Sequence, residues 1–262
     1  MLNERLVRNL DRQVESWRFR VKDDEERKTY DEVFDQKTLK LLQKLFSDQV
    51  LSTLDYPVST GKEGNVFKAT SPLGSRAVKI YRTSNATFKD LARYIEGDPR
   101  FRDLRGNLRK IIPAWASKEY KNLIQLKEGG VRVPTPYFHT ANIVIMEYVG
   151  DDQTPAPLIR KVTLPDPQRA VRDILAQFRK INKAGLVHGD FSEYNLLWWK
   201  GKPWVIDVAQ SVPLEHSQGA EWLQRDVENL LRYAKQIGAP LRRESVLKGL
   251  QGLEHALRKN PR

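Results

Sequence analysis

The stretch His188-Gly-Asp-Phe-Ser-Glu-Tyr-Asn195, followed by Val205-Ile-Asp207, decides how the chain is read. Two apolar, β-type segments, Leu196–Trp199 and Val205–Ile206, flank a turn at Lys200-Gly201 and predict a hairpin. Its open end brings Asn195 and Asp207 near each other. Together they offer oxygen ligands that suit a Mg²⁺ ion which keeps some water and bridges substrate phosphates. Asp190 lies in the loop ahead of Asn195, where its carboxylate can reach a hydroxyl attacking a γ-phosphate. A lone Asp–Asn pair is most often a turn cap. The joint pattern of H-x-D-x-x-x-x-N, a hairpin and an apolar pair ending in Asp is far rarer.

Upstream, Ser59-Thr-Gly-Lys-Glu-Gly-Asn-Val66 precedes Ala77-Val-Lys79. A glycine-containing turn between strands lets backbone N–H groups approach phosphates, and Lys79 in the next strand would neutralise phosphate oxygens. Alone, Gly61-x-x-Gly64 is an ordinary hairpin turn. It is not a Walker A loop, since no Gly-Lys-Ser/Thr precedes a helix. Position lends these signals force. Glycine loop, strand lysine, helix acid, linker, catalytic loop and metal aspartate follow one another as they do in kinases.

Around these motifs the texture changes along the chain. Residues 1–30 are almost wholly polar and read as a loosely held arm. Leu39, Leu42, Leu45 and Phe46 predict a helix over 36–47, and Val50, Leu51 and Leu54 a second short one. Asn65–Ala69 and Arg76–Tyr81, around Ser71-Pro-Leu-Gly74, predict a hairpin. Residues 82–110 form a basic insert with eight Arg or Lys against four Asp or Glu. It reads equally as a contact or closing element and as a solvated loop. A helix follows over 113–128, then a buried strand at Asn142–Met146, and a helix capped by Asp166 and Pro167 and stopped at Gly185. Helices over 219–236 and 241–258 close the chain. Trp198, Trp199 and Trp204 are expected in the core rather than as stacking platforms.

Composition limits the chemistry. There is no cysteine, so thiolate metal sites and cysteine nucleophiles are excluded. His139, His188, His216 and His255 show no zinc-enzyme spacing. No stretch approaches a membrane span and the N-terminus lacks a signal-peptide core, so a cytoplasmic location is expected. The net charge of +12 favours a polyanionic partner, with a charge-rich solvated surface as the plain alternative.

The motif set resembles protein kinases generally, and more closely the RIO family of atypical serine/threonine kinases, its archaeal-type Rio-one branch in particular. The likeness is carried by Ser59–Val66, Trp115-Ala-Ser-Lys-Glu-Tyr-Lys-Asn-Leu123, Met146-Glu-Tyr-Val-Gly150, His188–Asn195 and Ile206-Asp-Val-Ala-Gln-Ser-Val212. It implies Asp190 as catalytic base, Asn195 and Asp207 as metal ligands and Lys79 as phosphate holder, paired with Glu119. It implies a nucleotide site of Ser59, Gly61, Lys62, Glu63, Gly64, Val66, Ala77, Met146, Glu147 and Val149. It also implies ATP and Mg²⁺, with Mn²⁺ as a substitute, an aspartyl phosphate on Asp207, and partnership with the pre-ribosomal small subunit through rRNA or ribosomal proteins. His188-Gly-Asp190 lacks the arginine of ordinary kinases, Asp207-Val-Ala lacks Phe-Gly, and no Ala-Pro-Glu follows. The phosphate donor is therefore better defined than the acceptor, a protein serine, the chain's own included.

The expected architecture is α+β: a bilobal, protein-kinase-like fold with an N-terminal helical extension (1–54), a β-rich N-lobe (55–147) carrying the insert, and a truncated α-rich C-lobe (148–262). Two other functions share parts of the pattern. One is a small-molecule kinase of aminoglycoside or choline type, against which the basic charge and short C-terminal region argue. The other is a non-catalytic, ATP-switched ribosome-binding protein, against which the filled catalytic positions argue.

Overall fold

The computed structural model describes residues 12, 33–61, 63–83, 94, 98, 100, 101 and 110–250. Its elements run α1 (Gln36–Ser47), β1 (Thr53–Thr60), β2 (Gly64–Ser71), β3 (Gly74–Tyr81), α2 (Ile111–Glu128), β4 (Pro136–Thr140) and β5 (Ile143–Glu147). They continue with α3 (Pro167–Lys183), β6 (Leu186–Val187), β7 (Leu196–Trp199), β8 (Lys202–Val205), β9 (Val212–Pro213), α4 (Gly219–Gln236) and α5 (Arg243–Leu247). This is the expected α+β class. The described residues divide into two compact units. One holds 33–83, 110–117 and 137–148; the other holds 94, 98, 100, 101, 118–136 and 149–250.

The first unit is a five-stranded sheet ordered β1-β2-β3-β5-β4. The predicted hairpin turns at Ser71–Gly74, with Ser71 opposite Gly74. Alternation along the strands sends Phe67, Ala69, Val78, Ile80, Ile143 and Ile145 to one face, where they meet Leu42, Leu45 and Phe46 of α1. Phe34 and Phe67 pack with ring centroids 5.2 Å apart. Each such large side chain removed from water contributes about 1.5–3 kcal/mol, which holds α1 on the sheet. The Asp35 side chain caps α1 by accepting from the Thr38 N–H at 2.7 Å.

The second short helix predicted over Val50–Leu54 does not form. Gln49 adopts a left-handed conformation (φ 56°) after α1 and turns the chain toward β1; Leu51, ahead of the strand, and Leu54, within it, still reach the sheet core. Their spacing fits either a helical stripe or a turn entering a strand; the left-handed residue decides. The helix expected from Pro113 begins two residues earlier, at Ile111. Proline is tolerated there because the first-turn N–H groups have no helical partner.

In the second unit α3 follows the predicted pattern, with Asp166 accepting from the Arg169 N–H at 2.9 Å and Gly185 left-handed at φ 83°. Ala170, Val171, Ile174, Leu175, Phe178 and Ile181 are its buried stripe. β7 and β8 form the predicted hairpin, with Leu196 opposite Val205. Trp198, Trp199 and Trp204 are half-buried rather than core: among the described residues the ribbon has two strands, flanked on the β7 side only by an isolated bridge from Leu158 to Leu197. Helix α5 ends at Leu247. The helix expected over 241–258 is cut short: residues 241 and 242 precede it, and 248–250 turn out of it with Gly249 left-handed at φ 92°, while 251–258, the arm 1–30 apart from residue 12, Lys62 and most of the insert lie outside the described residues.

Candidate active site

The sheet unit carries the residues read as nucleotide-binding. Val66 pairs with Lys79 and Lys68 with Ala77, while Ala77 lies opposite Met146 and Lys79 opposite Val144. Side chains directly across strands share a face, so Val66, Ala77, Lys79 and Met146 stand together on the side of the sheet away from α1. The glycine turn closes with the Gly61 N–H donating to the Gly64 carbonyl at 3.0 Å, and the Arg82 N–H donates to the Glu63 carbonyl at 2.9 Å. Arg82 Nη2 also holds the Gly61 carbonyl at 2.6 Å. A Cβ on Gly64 would lie 2.3 Å from the Ile80 carbonyl oxygen, so only glycine lets β2 and β3 approach this closely. Ser59 is exposed at the end of β1, opposite Val66. Glu147 closes β5 opposite Arg76.

The helical unit carries the loop between β6 and β7. Asn195 Nδ2 donates to the Asp190 carboxylate at 2.8 Å and to the Asp190 carbonyl at 2.9 Å. The Ile206 N–H donates to the Asn195 carbonyl at 3.0 Å, so Asp207 enters the chain beside Asn195. Asp207 is left-handed (φ 58°, ψ 56°) and opens a 3₁₀ turn, Val208–Gln210. The spacing thus brings together what it predicted: Asp190, Asn195 and the start of Asp207. Burial raises the Asp190 carboxyl above its ordinary range. The Asn195 hydrogen bond opposes this, the charge of Asp207 adds to it, and Arg225 and Glu193 act with opposite signs. Glu119 is buried midway along α2, and Val149 follows β5, its carbonyl accepting from the Ala156 N–H at 2.9 Å.

Several residues that hold this loop went unnamed in the sequence reading. Asp226 of α4 is fully buried and accepts from the N–H groups of Gly189 at 2.8 Å and Phe191 at 2.7 Å. Arg225 Nη2 donates to the Gly189 carbonyl. From α2, Lys118 Nζ donates to the carbonyls of Ala209, at 2.7 Å, and Ser211. Asn122 Nδ2 donates to those of Val208 at 2.7 Å and Ser211 at 2.9 Å. Burial and the charge of Arg100 press Lys118 well below the usual amine range, against Asp98. Asp226 and Lys118 left one signal: each is a buried polar group within an apolar helical stripe, Asp226 among Trp222, Leu223, Val227 and Leu230, and Lys118 after Trp115. His188 links the two segments, with Nε2 3.3 Å from the Ile206 carbonyl and Nδ1 accepting from the Asp190 N–H at 3.3 Å.

One carboxylate, of Asp207, and one amide oxygen, of Asn195, fit a magnesium ion better than a transition metal. With Nδ2 committed to Asp190, Asn195 has Oδ1 to offer, and oxygen donors left incomplete by the protein are what Mg²⁺ takes alongside water and phosphate. Among the described residues no group of three or more His, Cys, Asp or Glu forms a metal cluster.

Residues 65–246 match the RIO domain. The chain is 36% identical over 252 residues to the RIO-type serine/threonine-protein kinase Rio1 of Haloferax volcanii, covering 96% of this chain and 87% of that protein. It belongs to the RIO family of serine/threonine-protein kinases. Against human serine/threonine-protein kinase RIO1 it is 37% identical over 227 residues, which is 84% of this chain and 40% of the human protein. In fold it is similar to Chaetomium thermophilum Rio2 kinase, solved as an ADP/Mg²⁺-phosphoaspartate complex. The TM-score is 0.61 at 21% identity, over 85% of this chain and 70% of that one. The bilobal kinase-like fold is thus that of a RIO protein, with no described helix long and apolar enough to cross a membrane.

Proposed function

We propose that this RIO kinase transfers the γ-phosphoryl group of ATP through Asp190, Asn195 and Asp207, with Lys79 and the glycine turn holding the phosphates. The observation that carries the reading is the Asn195 side-chain amide donating to the Asp190 carboxylate at 2.8 Å while the Asn195 backbone carbonyl receives the Ile206 N–H. These bonds support a reading in which Asp190 would meet an incoming hydroxyl, and Asn195 Oδ1 and Asp207 would hold one ion. A bound Mg²⁺ supplies charge neutralisation on the β- and γ-phosphate oxygens. Asp190, raised above the ordinary carboxylate range by burial, takes the proton of the attacking hydroxyl. Lys79 meets phosphate oxygens, and Glu119 is its proposed partner. Ala77, Val66 and Met146 form the apolar face for adenine. Glu147 and Val149 offer it backbone groups; with its carbonyl taken by Ala156, Val149 offers its N–H.

The acceptor is a protein serine, or Asp207 itself, whose carboxylate oxygen would attack γ-phosphorus with release of ADP. Water would then hydrolyse the acyl phosphate and complete an ATPase cycle. Mn²⁺ satisfies the same oxygen donors. The charge of +12 supports a cytoplasmic role on a ribonucleoprotein such as the maturing small ribosomal subunit. Labelled ATP tests the chemistry. Label on Asp207 is labile to base and hydroxylamine, whereas phosphoserine survives acid. Asp190→Ala and Lys79→Ala are expected to lose turnover by at least about a hundredfold while unfolding at the wild-type denaturant midpoint. Full turnover in Asp190→Ala removes that residue from the mechanism.

A further inference from the structure

We propose that Asp98 and Arg100, from the basic stretch 82–110, are positioning residues of the turn that follows Asp207, acting through Asn122 of α2. The proposal rests on the reading of Asp207 as a magnesium ligand. Asp98 is buried, and its carboxylate takes Arg100 in a fork, with Nε at 2.9 Å and Nη2 at 2.7 Å. The Arg100 backbone N–H donates to the same carboxylate at 3.0 Å. So oriented, Arg100 Nη1 donates to Asn122 Oδ1 at 2.8 Å. Asn122 Nδ2 then donates to the Val208 and Ser211 carbonyls, beside the Lys118 bonds to Ala209 and Ser211.

The chemistry of the amide makes this chain directional. Arg100 is a donor only, and the backbone carbonyls are acceptors only. Asn122 can satisfy both neighbours in one orientation, and Arg100 dictates it. Without Arg100 a fully buried Oδ1 loses its donor, and a flipped amide would aim Oδ1 at two carbonyl oxygens. The clamp closes on three backbone carbonyls, those of Val208, Ala209 and Ser211, just after Asp207, a residue held left-handed without being glycine. That conformation costs about 1–2 kcal/mol and persists only where its surroundings enforce it. Conventional kinases leave the segment after this aspartate to an activation loop. Here Lys118 and Asn122 of α2 hold it by fixed hydrogen bonds, and Arg100 of the insert bonds Asn122. Other residues of the insert anchor nearby in the same unit: Tyr94 lies against Trp222, with centroids 4.7 Å apart, and Phe101 is buried.

The test uses the whole chain with Arg100→Leu and the near-isosteric Asp98→Asn. In the nucleotide-free protein, amide hydrogen exchange over residues 206–212 is expected to quicken about tenfold in both variants. The Mg²⁺ concentration giving half-maximal turnover is expected to rise about tenfold, the lower end of losses on removing such supporting bonds, with the KM for ATP at saturating Mg²⁺ within about twofold. Arg100→Leu combined with Asn122→Leu should be no worse than Asn122→Leu alone, as for links of one chain. Wild-type exchange and Mg²⁺ requirement in both single variants overturn the proposal. So does exchange that quickens evenly over α2, α3 and α4, which marks lost global stability alone. Asp207→Asn is the separate control: turnover with a wild-type Mg²⁺ requirement there sinks the reading of Asp207, while the exchange data still judge the clamp.

Discussion

At the scale of single residues the loop is set by two buried groups that titrate in opposite senses. Burial lowers His188 from 6.5 to about 4, against the charge of Asp207 and its bond to the Ile206 carbonyl. Burial raises Asp226 from 3.8 to about 7, against the N–H donors of Phe191 and Gly189. Neutral His188 contributes stability that is present above pH 6.5 and is lost as pH falls toward 4, because the unfolded chain takes up the proton first. The contribution of Asp226 runs the other way, being present at low pH and lost as pH rises through about 7. The two offset in the wild type, so a variant is needed to expose either. In urea unfolding, the stability difference between wild type and His188→Gln is expected to shrink between pH 7 and pH 4.5, by at most on the order of 3 kcal/mol. A constant difference would mean that His188 is not held neutral by burial. The motif containing His188 was plain in the sequence. Its tautomer and its bond to the Ile206 carbonyl were not, since they depend on a strand that returns from downstream.

At the scale of elements, the hairpins and capped helices were legible because their signals are local. Asp166 and Pro167 open α3, Asp35 opens α1, and Lys200-Gly201 turns β7 into β8, as read. Two glycines show the limit of such reading, since both sit in strand connections yet serve different ends. Gly201 has φ 70° with open space around it, so Gly201→Ala is expected to cost about 1 kcal/mol in denaturant unfolding and leave the KM for ATP unchanged. Gly64→Ala drives a methyl into the Ile80 carbonyl, so β2 and β3 must part at the nucleotide turn. It is expected to cost more stability than Gly201→Ala and to raise the KM for ATP about tenfold or more. Equal effects of the two would mean that the close approach at Gly64 has no bearing on nucleotide. The short helix expected at Val50–Leu54 failed for a related reason. Apolar spacing there is satisfied equally by a turn into a strand, and Gln49 takes the turn.

At the scale of the whole molecule, charge and sheet register bear on what the chain can bind. A net charge of +12 predicts that affinity for a single-stranded RNA falls roughly tenfold or more between 50 and 200 mM salt, as for a handful of neutralised phosphates. Filter binding across that range checks it, and salt-indifferent binding would favour a merely solvated basic surface. Strand register, by contrast, decides which side chains can meet a nucleotide. The sequence alone determined the order of the motifs, the hairpins and the capped helices, and singled out Asp190, Asn195 and Asp207 as the proposed site, because those are short-range patterns of residue type. Only tertiary structure decided that Asp226, Lys118 and Asn122 hold the loops, that Arg100 orients Asn122, and that the tryptophans of β7 and β8 stay half-exposed. A buried polar side chain is chosen for the backbone groups it meets, and those groups lie tens of residues away along the chain.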